Sequence, residues 1–307
     1  SGKGSIDDFA VTGAETLTDT SLGETRATLN LSRTPTHWQV NELLLNKETL
    51  QGEVRIKCDY ASDGTMNANA NWSGLTWALS EQQTLRSPGG QLMLEGRTDD
   101  YRFNASGTLE STGYPALTFT AEGAGNTQQV TLTRLQGDST QGSFKSSGEF
   151  AWAPALKWQL QAAVDAFDPA FFAPEWPGKV SLRLDSDGHQ SDTGLQGRLN
   201  VTDIAGSLRG QPVSGKASAS FLGDTVNVSQ SEFVLGAARL SASGSVNDAW
   251  NMQWAIHAPD LGRLLPNAGG SLQGQGRLAG PRALPHVTAN LDGKQLRPQG
   301  SRVNAVT

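Results

Sequence analysis

A chain of 307 residues with 24 Lys and Arg against 30 Asp and Glu carries a formal net charge of −6. That leaves no basic excess to displace counterions from a phosphate backbone, so nucleic acid is excluded as the ligand class. Charged residues are only 18% of the chain while 35 residues are glycine, and 8 Trp, 10 Phe and 3 Tyr alternate with polar residues; such a composition argues against disorder, and no apolar run approaches the roughly 18 residues of a membrane-spanning helix.

Residues 1–5, SGKGS, read as a tag or linker remnant. Beyond them strand signals dominate. Period-two alternation runs through Val54, Ile56, Cys58 and Tyr60; Met66, Ala68, Ala70 and Trp72; Leu75, Trp77 and Leu79; Leu117, Phe119 and Ala121; and Val130 and Leu132. It resumes in Trp158, Leu160 and Ala162; Val180, Leu182 and Leu184; and Met252, Trp254, Ile256 and Ala258. Each window sets apolar residues on one face and polar ones on the other, the signature of an antiparallel sheet with one greasy and one wet face. Asp63-Gly64, Asp187-Gly188 and Asp292-Gly293 read as hairpin pairs, and Gly52, Gly74, Gly107, Gly113, Gly148, Gly223 and Gly244 as further bends or bulges. The count comes to about 25 strands. Cys58 is alone, so no disulfide forms within the chain, and it reads as a small buried hydrophobe.

Two connectors carry the helical signals. Residues 165–174 and 259–266 each place an acidic cap before a short apolar turn closed by proline, which predicts one or two helical turns at an edge of the sheet. Trp176, between Glu175 and Pro177, belongs to the first connector and is expected to plug that edge.

Self-comparison finds repetition. Residues 130–162 align without a gap on 226–258, superposing Trp158 on Trp254 and Leu160 on Ile256, and 174–188 match 266–280 with four residues fewer between. A weaker copy begins at Leu75. The repeats divide residues 6–307 into units of 6–96, 97–188 and 189–280, with 281–307 starting the next. About 25 strands side by side would extend roughly 120 Å and expose a whole apolar face. Folding lengthwise into a trough, or closing in short barrels or packed sandwiches, would hide it. Repetition of the same inward rows leans toward the trough, in which each unit touches only its neighbours.

Signatures of catalysis are missing. His37, His189, His257 and His286 lie far apart, no G-x-S-x-G elbow occurs, and Asp59, Asp63, Asp99 and Asp100 sit near turns, where Asp bonds its own backbone. The stretch from Gly270 to Gly276 has phosphate-loop glycines but no following Lys or helix. No cofactor or metal is expected, and an enzymatic role is not supported.

The run Ser241-Ala-Ser-Gly-Ser-Val-Asn-Asp-Ala-Trp250 continues into Trp254-Ala-Ile-His-Ala-Pro-Asp-Leu-Gly-Arg-Leu-Leu-Pro-Asn-Ala-Gly-Gly270. After it come Gly276-Arg-Leu-Ala-Gly280, Pro285-His-Val-Thr-Ala-Asn-Leu291 and Leu296, and Asp100-Tyr101, residues 117–126, 129–132 and 174–178 complete the pattern. It resembles the TamB family, AsmA-like proteins of the translocation and assembly module of Gram-negative bacteria. The resemblance implies an all-β fold: an elongated, curled antiparallel sheet forming a taco-like trough with a hydrophobic interior, of which this chain is a middle periplasmic section. It also implies phospholipid transport between the membranes and outer-membrane protein assembly and secretion, in a parent protein anchored in the inner membrane. The implied partners are a phospholipid or other acyl-chain ligand and, through parts outside this chain, the outer-membrane barrel TamA.

On that reading the groove would be lined by Val54, Ile56, Leu75, Trp77, Leu79, Leu92, Leu94, Tyr101, Phe103, Leu117, Phe119, Val130, Leu132, Phe150 and Trp152. Trp158, Leu160, Val180, Leu182, Leu184, Leu199, Val226, Val228, Met252, Trp254 and Ile256 would continue it. Two alternatives remain: a chaperone that binds outer-membrane strands by edge augmentation, and a structural repeat protein with a dry core.

Overall fold

The computed structural model describes residues 2–5, 8–19, 23–47, 52–78, 84–111, 113–265, 268–297 and 303–306. They form 21 strands: β1 (Gly2–Ser5), β2 (Asp8–Asp19), β3 (Gly23–Arg33), β4 (His37–Lys47), β5 (Glu53–Ala61), β6 (Thr65–Ala78), β7 (Thr84–Arg97), β8 (Asp100–Ser111), β9 (Tyr114–Gly125), β10 (Gln129–Ser139) and β11 (Gly142–Ala151). There follow β12 (Lys157–Phe167), β13 (Gly178–Ser191), β14 (Gly194–Leu208), β15 (Gln211–Leu222), β16 (Thr225–Leu235), β17 (Ala238–Val246), β18 (Ala249–Ala258), β19 (Ser271–Pro281), β20 (His286–Leu296) and β21 (Val303–Val306).

The chain divides into two units, Ser1–Thr140 with Lys145–Ala153 and Gln141–Phe144 with Pro154–Thr307, so that β11 carries residues of both. Within the first, β1 to β10 pair consecutively and antiparallel. Within the second, β12 to β21 do the same. Among the described residues only neighbours in sequence pair in either sheet, and neither sheet closes into a barrel. The all-β, antiparallel expectation holds.

The strands are fewer and longer than expected, for a physical reason. The windows ending at Trp72 and starting at Leu75 are one strand, β6, which passes through Gly74 at φ +62 rather than turning there. Asp63-Gly64 does turn: the Asp63 carboxylate accepts the Thr65 N–H at 2.9 Å and Gly64 takes φ +88. The hairpins expected at Asp187-Gly188 and Asp292-Gly293 are corrected, because both pairs lie inside strands, β13 and β20. Register shifts recur at five successive pairings from β12 to β17, and Ala166 and Asp203 take positive φ within them. Bulges of this kind bend a strand and raise its twist, so they coil the sheet.

The connectors fold as read. Single 3-10 turns, Pro169–Phe171 and Leu261–Arg263, are capped by Asp168 and Asp260, whose carboxylates accept the N–H of Ala170 and Gly262, each at 3.0 Å. Asp168 also takes the Gly178 N–H at 3.1 Å, tying the turn to β13. Behind these turns Val180, Leu208, Val213 and Leu235 form a buried cluster, with Trp176, Ile204, Phe233 and Leu264 packed against it. All four buried residues stand at the connector ends of their strands. Trp176 plugs that edge, as expected.

Elsewhere the apolar face has no cover. Among the described residues the only other buried hydrophobics are Leu75, Ala121, Ala238 and Ala258. The chain exposes 18897 Å². A globular monomer of 32.5 kDa exposes roughly 12,400 Å², and two separate globules of half that mass roughly 15,000 Å² together.

Candidate apolar groove

Cross-strand partners in an antiparallel ladder point to the same side, so the register can be followed across each sheet. In the second unit one row runs Leu160, Ser186, Leu199, Ala219, Val228, Gly244, Met252, Leu278 and Val287. The next runs Ala162, Leu184, Val201, Ala217, Ser231, Ala242, Trp254, Gly276 and Ala289. On one side of these lies Trp158, Gly188, Gly197, Phe221, Val226, Val246 and Trp250. On the other lie Val164 with Leu182, Ile204 with Gly215, Phe233, Leu240 and Ile256, and then Phe167 with Val180. Every residue proposed from the sequence between Trp158 and Ile256 thus shares one face.

The first unit repeats the arrangement. Val54 aligns with Trp72, Gly90, Gly107 and Phe119; Ile56 with Ala70, Leu92, Ala105 and Ala121; Cys58 with Ala68, Leu94, Phe103, Gly123 and Leu132; and Tyr60 with Met66, Gly96, Tyr101, Gly125 and Val130. Leu117 follows on this face beside Leu109. Leu75 and Trp77 have the opposite parity to Trp72. The left-handed Gly74, at φ +62, returns them to its side: Ser87, the partner of Leu75, accepts the Trp72 indole N–H at 2.6 Å, and Leu85 is the partner of Trp77. Leu79 lies outside the described residues. Phe150 and Trp152 are exposed, and the Trp152 indole donates to the Thr127 carbonyl in the β9–β10 turn at 2.9 Å, so they sit at a hairpin end.

From β5 to β10 and from β12 to β20 these rows hold no charged residue, although 18% of the chain is charged. Carried back through β4, the Tyr60 row reaches Trp38 and then Arg33, whose guanidinium carbon lies 4.7 Å from the Trp38 ring centroid, and the Val54 row reaches Glu15 through Leu45 and Ala27. On the other face of the second unit Arg198 meets Asp187 at 3.0 Å and Arg277 donates to Asn251 at 2.8 Å. Cys58 is half-buried rather than buried: its strand packs only one face, and nothing roofs it. Burial, and then the Asp59 carboxylate, push its thiol above the ordinary range. Most row residues are likewise half-exposed; Leu199 and Leu240 retain 37% and 46% of their surface. Two open depressions of about 800 and 840 Å³ over β16 to β20 are bordered by residues of both faces, Trp254 and Gly276 beside Glu232 and Arg277 in the first, Ile256 and Leu291 beside His257 and Asp292 in the second.

Sequence reasoning missed Phe221, Phe233, Leu240 and Leu278, which complete the rows. The bulge after Val228 inverts parity, so that Ser231, Phe233 and Leu235 follow Val226 and Val228 on the same face, and a period-two reading assigns them to the wrong one. Among the described residues no group of three or more His, Cys, Asp or Glu could hold a metal ion, and no helix is long and apolar enough to cross a membrane.

The family model described as TamB, N-terminal domain, matches residues 60–307. The chain is also similar to the translocation and assembly module subunit TamB of Haemophilus influenzae, with 28% identity over 211 residues, which is 68% of this chain and 16% of that protein. It therefore spans about a sixth of the length of that relative. No solved structure matches it significantly. The family match, which covers most of the sequence, places the chain in the TamB family, within its N-terminal domain.

Proposed function

We propose that the apolar face is a conduit for acyl chains, serving phospholipid transport between the inner and outer membranes as part of the translocation and assembly module. The observation that supports this reading is the set of half-exposed apolar rows, without a charged residue from β5 to β10 and from β12 to β20. Each methylene moved from water onto apolar surface gains about 0.8 kcal/mol. Two long chains laid along such a face therefore gain tens of kcal/mol. Because apolar contact is non-directional and spread evenly, no single position traps the ligand. Direction must be supplied from outside these residues. On this reading the chain acts in the periplasm, in a parent anchored in the inner membrane and working with the barrel TamA, and the repeat units 6–96, 97–188 and 189–280 each contribute a stretch of such a face.

A photo-crosslinking p-benzoylphenylalanine at Leu160 tests the reading in cells. Irradiation is expected to yield glycerophospholipid adducts, identified by mass spectrometry of the purified protein. Adducts consisting only of outer-membrane polypeptide would transfer the function to strand chaperoning, and protein free of any adduct would remove the conduit.

A further inference from the structure

Three tryptophans of the apolar face are seated alike. Trp72 pairs with Gly90, Trp158 with Gly188 and Trp254 with Gly276. A Cβ on Gly276 would come 2.5 Å from Trp254 Cζ2 and 2.7 Å from its Cε2, and one on Gly90 or Gly188 would fall within the rings of Trp72 and Trp158. Each indole therefore lies across the neighbouring strand, in the space its missing side chain leaves, instead of standing up from the sheet. The cover continues sideways. Trp72 reaches Gly107, where a Cβ would be 3.1 Å from its Cζ2 and 3.0 Å from Phe119 Cε1. Phe221 lies over Gly197, with its ring plane within 4° of that of Trp158 and the centroids 6.0 Å apart.

The polar ends of two of these rings are turned into the wall. Trp72 donates to Ser87 Oγ, which donates onward to the Thr108 carbonyl at 2.8 Å, and Trp158 donates to Ser186 Oγ at 3.1 Å. There the groove is met by flat ring surface with its donor already used.

The geometry points to Gly90, Gly188 and Gly276 as specificity-determining residues of the groove. By letting an indole lie flat they keep the floor low and even, and they fit it to a linear hydrocarbon chain, which needs no hydrogen-bonding partner. A peptide strand would leave its amides unsatisfied over the two latched rings. This inference rests on the conduit reading and adds which residues set the bore and for what shape of ligand.

The test uses the whole chain and stearic acid carrying a diazirine on its hydrocarbon tail, with adducts counted by intact mass and strand content followed by circular dichroism. Gly276→Ala, which lifts Trp254, is expected to lower the adduct yield about tenfold, the scale of losing contact with about two methylenes. Adding Trp254→Leu to Gly276→Ala is expected to restore the yield, because leucine leaves room for the new Cβ. Uptake by Gly276→Ala equal to that of the unaltered chain overturns the inference. So does a double variant no better than the single one, since the loss would then come from the Thr288 carbonyl, 2.6 Å from that Cβ. Should Gly276→Ala fail to fold, Gly107→Ala with and without Trp72→Leu poses the same question where the contacts are looser. An unaltered chain that takes up no stearic acid overturns the conduit reading itself, and this inference with it.

Discussion

Ser87 is 1% exposed, the one buried polar side chain among the described residues, and its hydroxyl is used twice, by the Trp72 indole and the Thr108 carbonyl. Ser87→Ala removes a buried hydroxyl and leaves the half-buried Trp72 indole donor and the Thr108 carbonyl without that partner, a loss of about 1–3 kcal/mol. Ser186 holds Trp158 where water has access, so Ser186→Ala should cost less, about 0.5–1.5 kcal/mol. The two variants are compared by their midpoints of urea unfolding, and a Ser87→Ala midpoint no lower than that of Ser186→Ala contradicts the assignment. Cys58 gives a chemical readout of the same face. Its thiol is raised first by burial and then by Asp59, so the folded chain should react with iodoacetamide at pH 8 more slowly than glutathione does, and unfolding should abolish the difference. The linkage has a definite sign. A raised thiol contributes stability in full below its unfolded value and loses it as pH climbs from there through the folded value. Stability should therefore decline on the alkaline side at a rate that Cys58→Ala reduces.

At the scale of elements, the connectors determine which strand ends are filled. Trp176 packs on Val180, Leu208, Val213 and Leu235, and the Arg209 guanidinium lies 5.6 Å from its ring centroid. Trp176→Ala is expected to cost about 2–3 kcal/mol, below the range of a fully buried tryptophan because the ring is only half-buried. Hydrogen exchange should locate the damage: amides at the Val180, Leu208 and Val213 ends lose protection, while those around Trp158 and Leu195 do not. These connectors were legible from sequence because an Asp cap and a closing proline are local signals, and the same holds for the windows from Val54 to Tyr60 and from Met252 to Ala258. What sequence could not yield was continuity through Gly74 and the parity change after Val228. Both depend on how a neighbouring strand pairs, as does the placing of Gly188 beneath Trp158 rather than in a turn. A glycine that makes room for a ring and a glycine that turns the chain look identical in sequence.

At the scale of whole sheets, the decision is between a groove and a core, and one charge separates them. Ile256 lies in the row with Phe233, Leu240 and Gly274. It is half-exposed. In a dry core an arginine there would be an unpaired buried charge, with a cost of many kcal/mol and a sheet that fails to form. On an unroofed face the long side chain can lay its methylenes on the wall and hold its guanidinium in water. Ile256→Arg is accordingly expected to fold, with a thermal midpoint lowered by only a few degrees, equivalent to about 1 kcal/mol. It would nevertheless place a hydrated cation among rows, from β12 to β20, that hold no other charge. Acyl-chain adducts at Leu160 should then fall while the circular dichroism of the sheet is retained. A collapse of the strand signal in Ile256→Arg would mean that the rows close on one another in solution and that the face is a core after all.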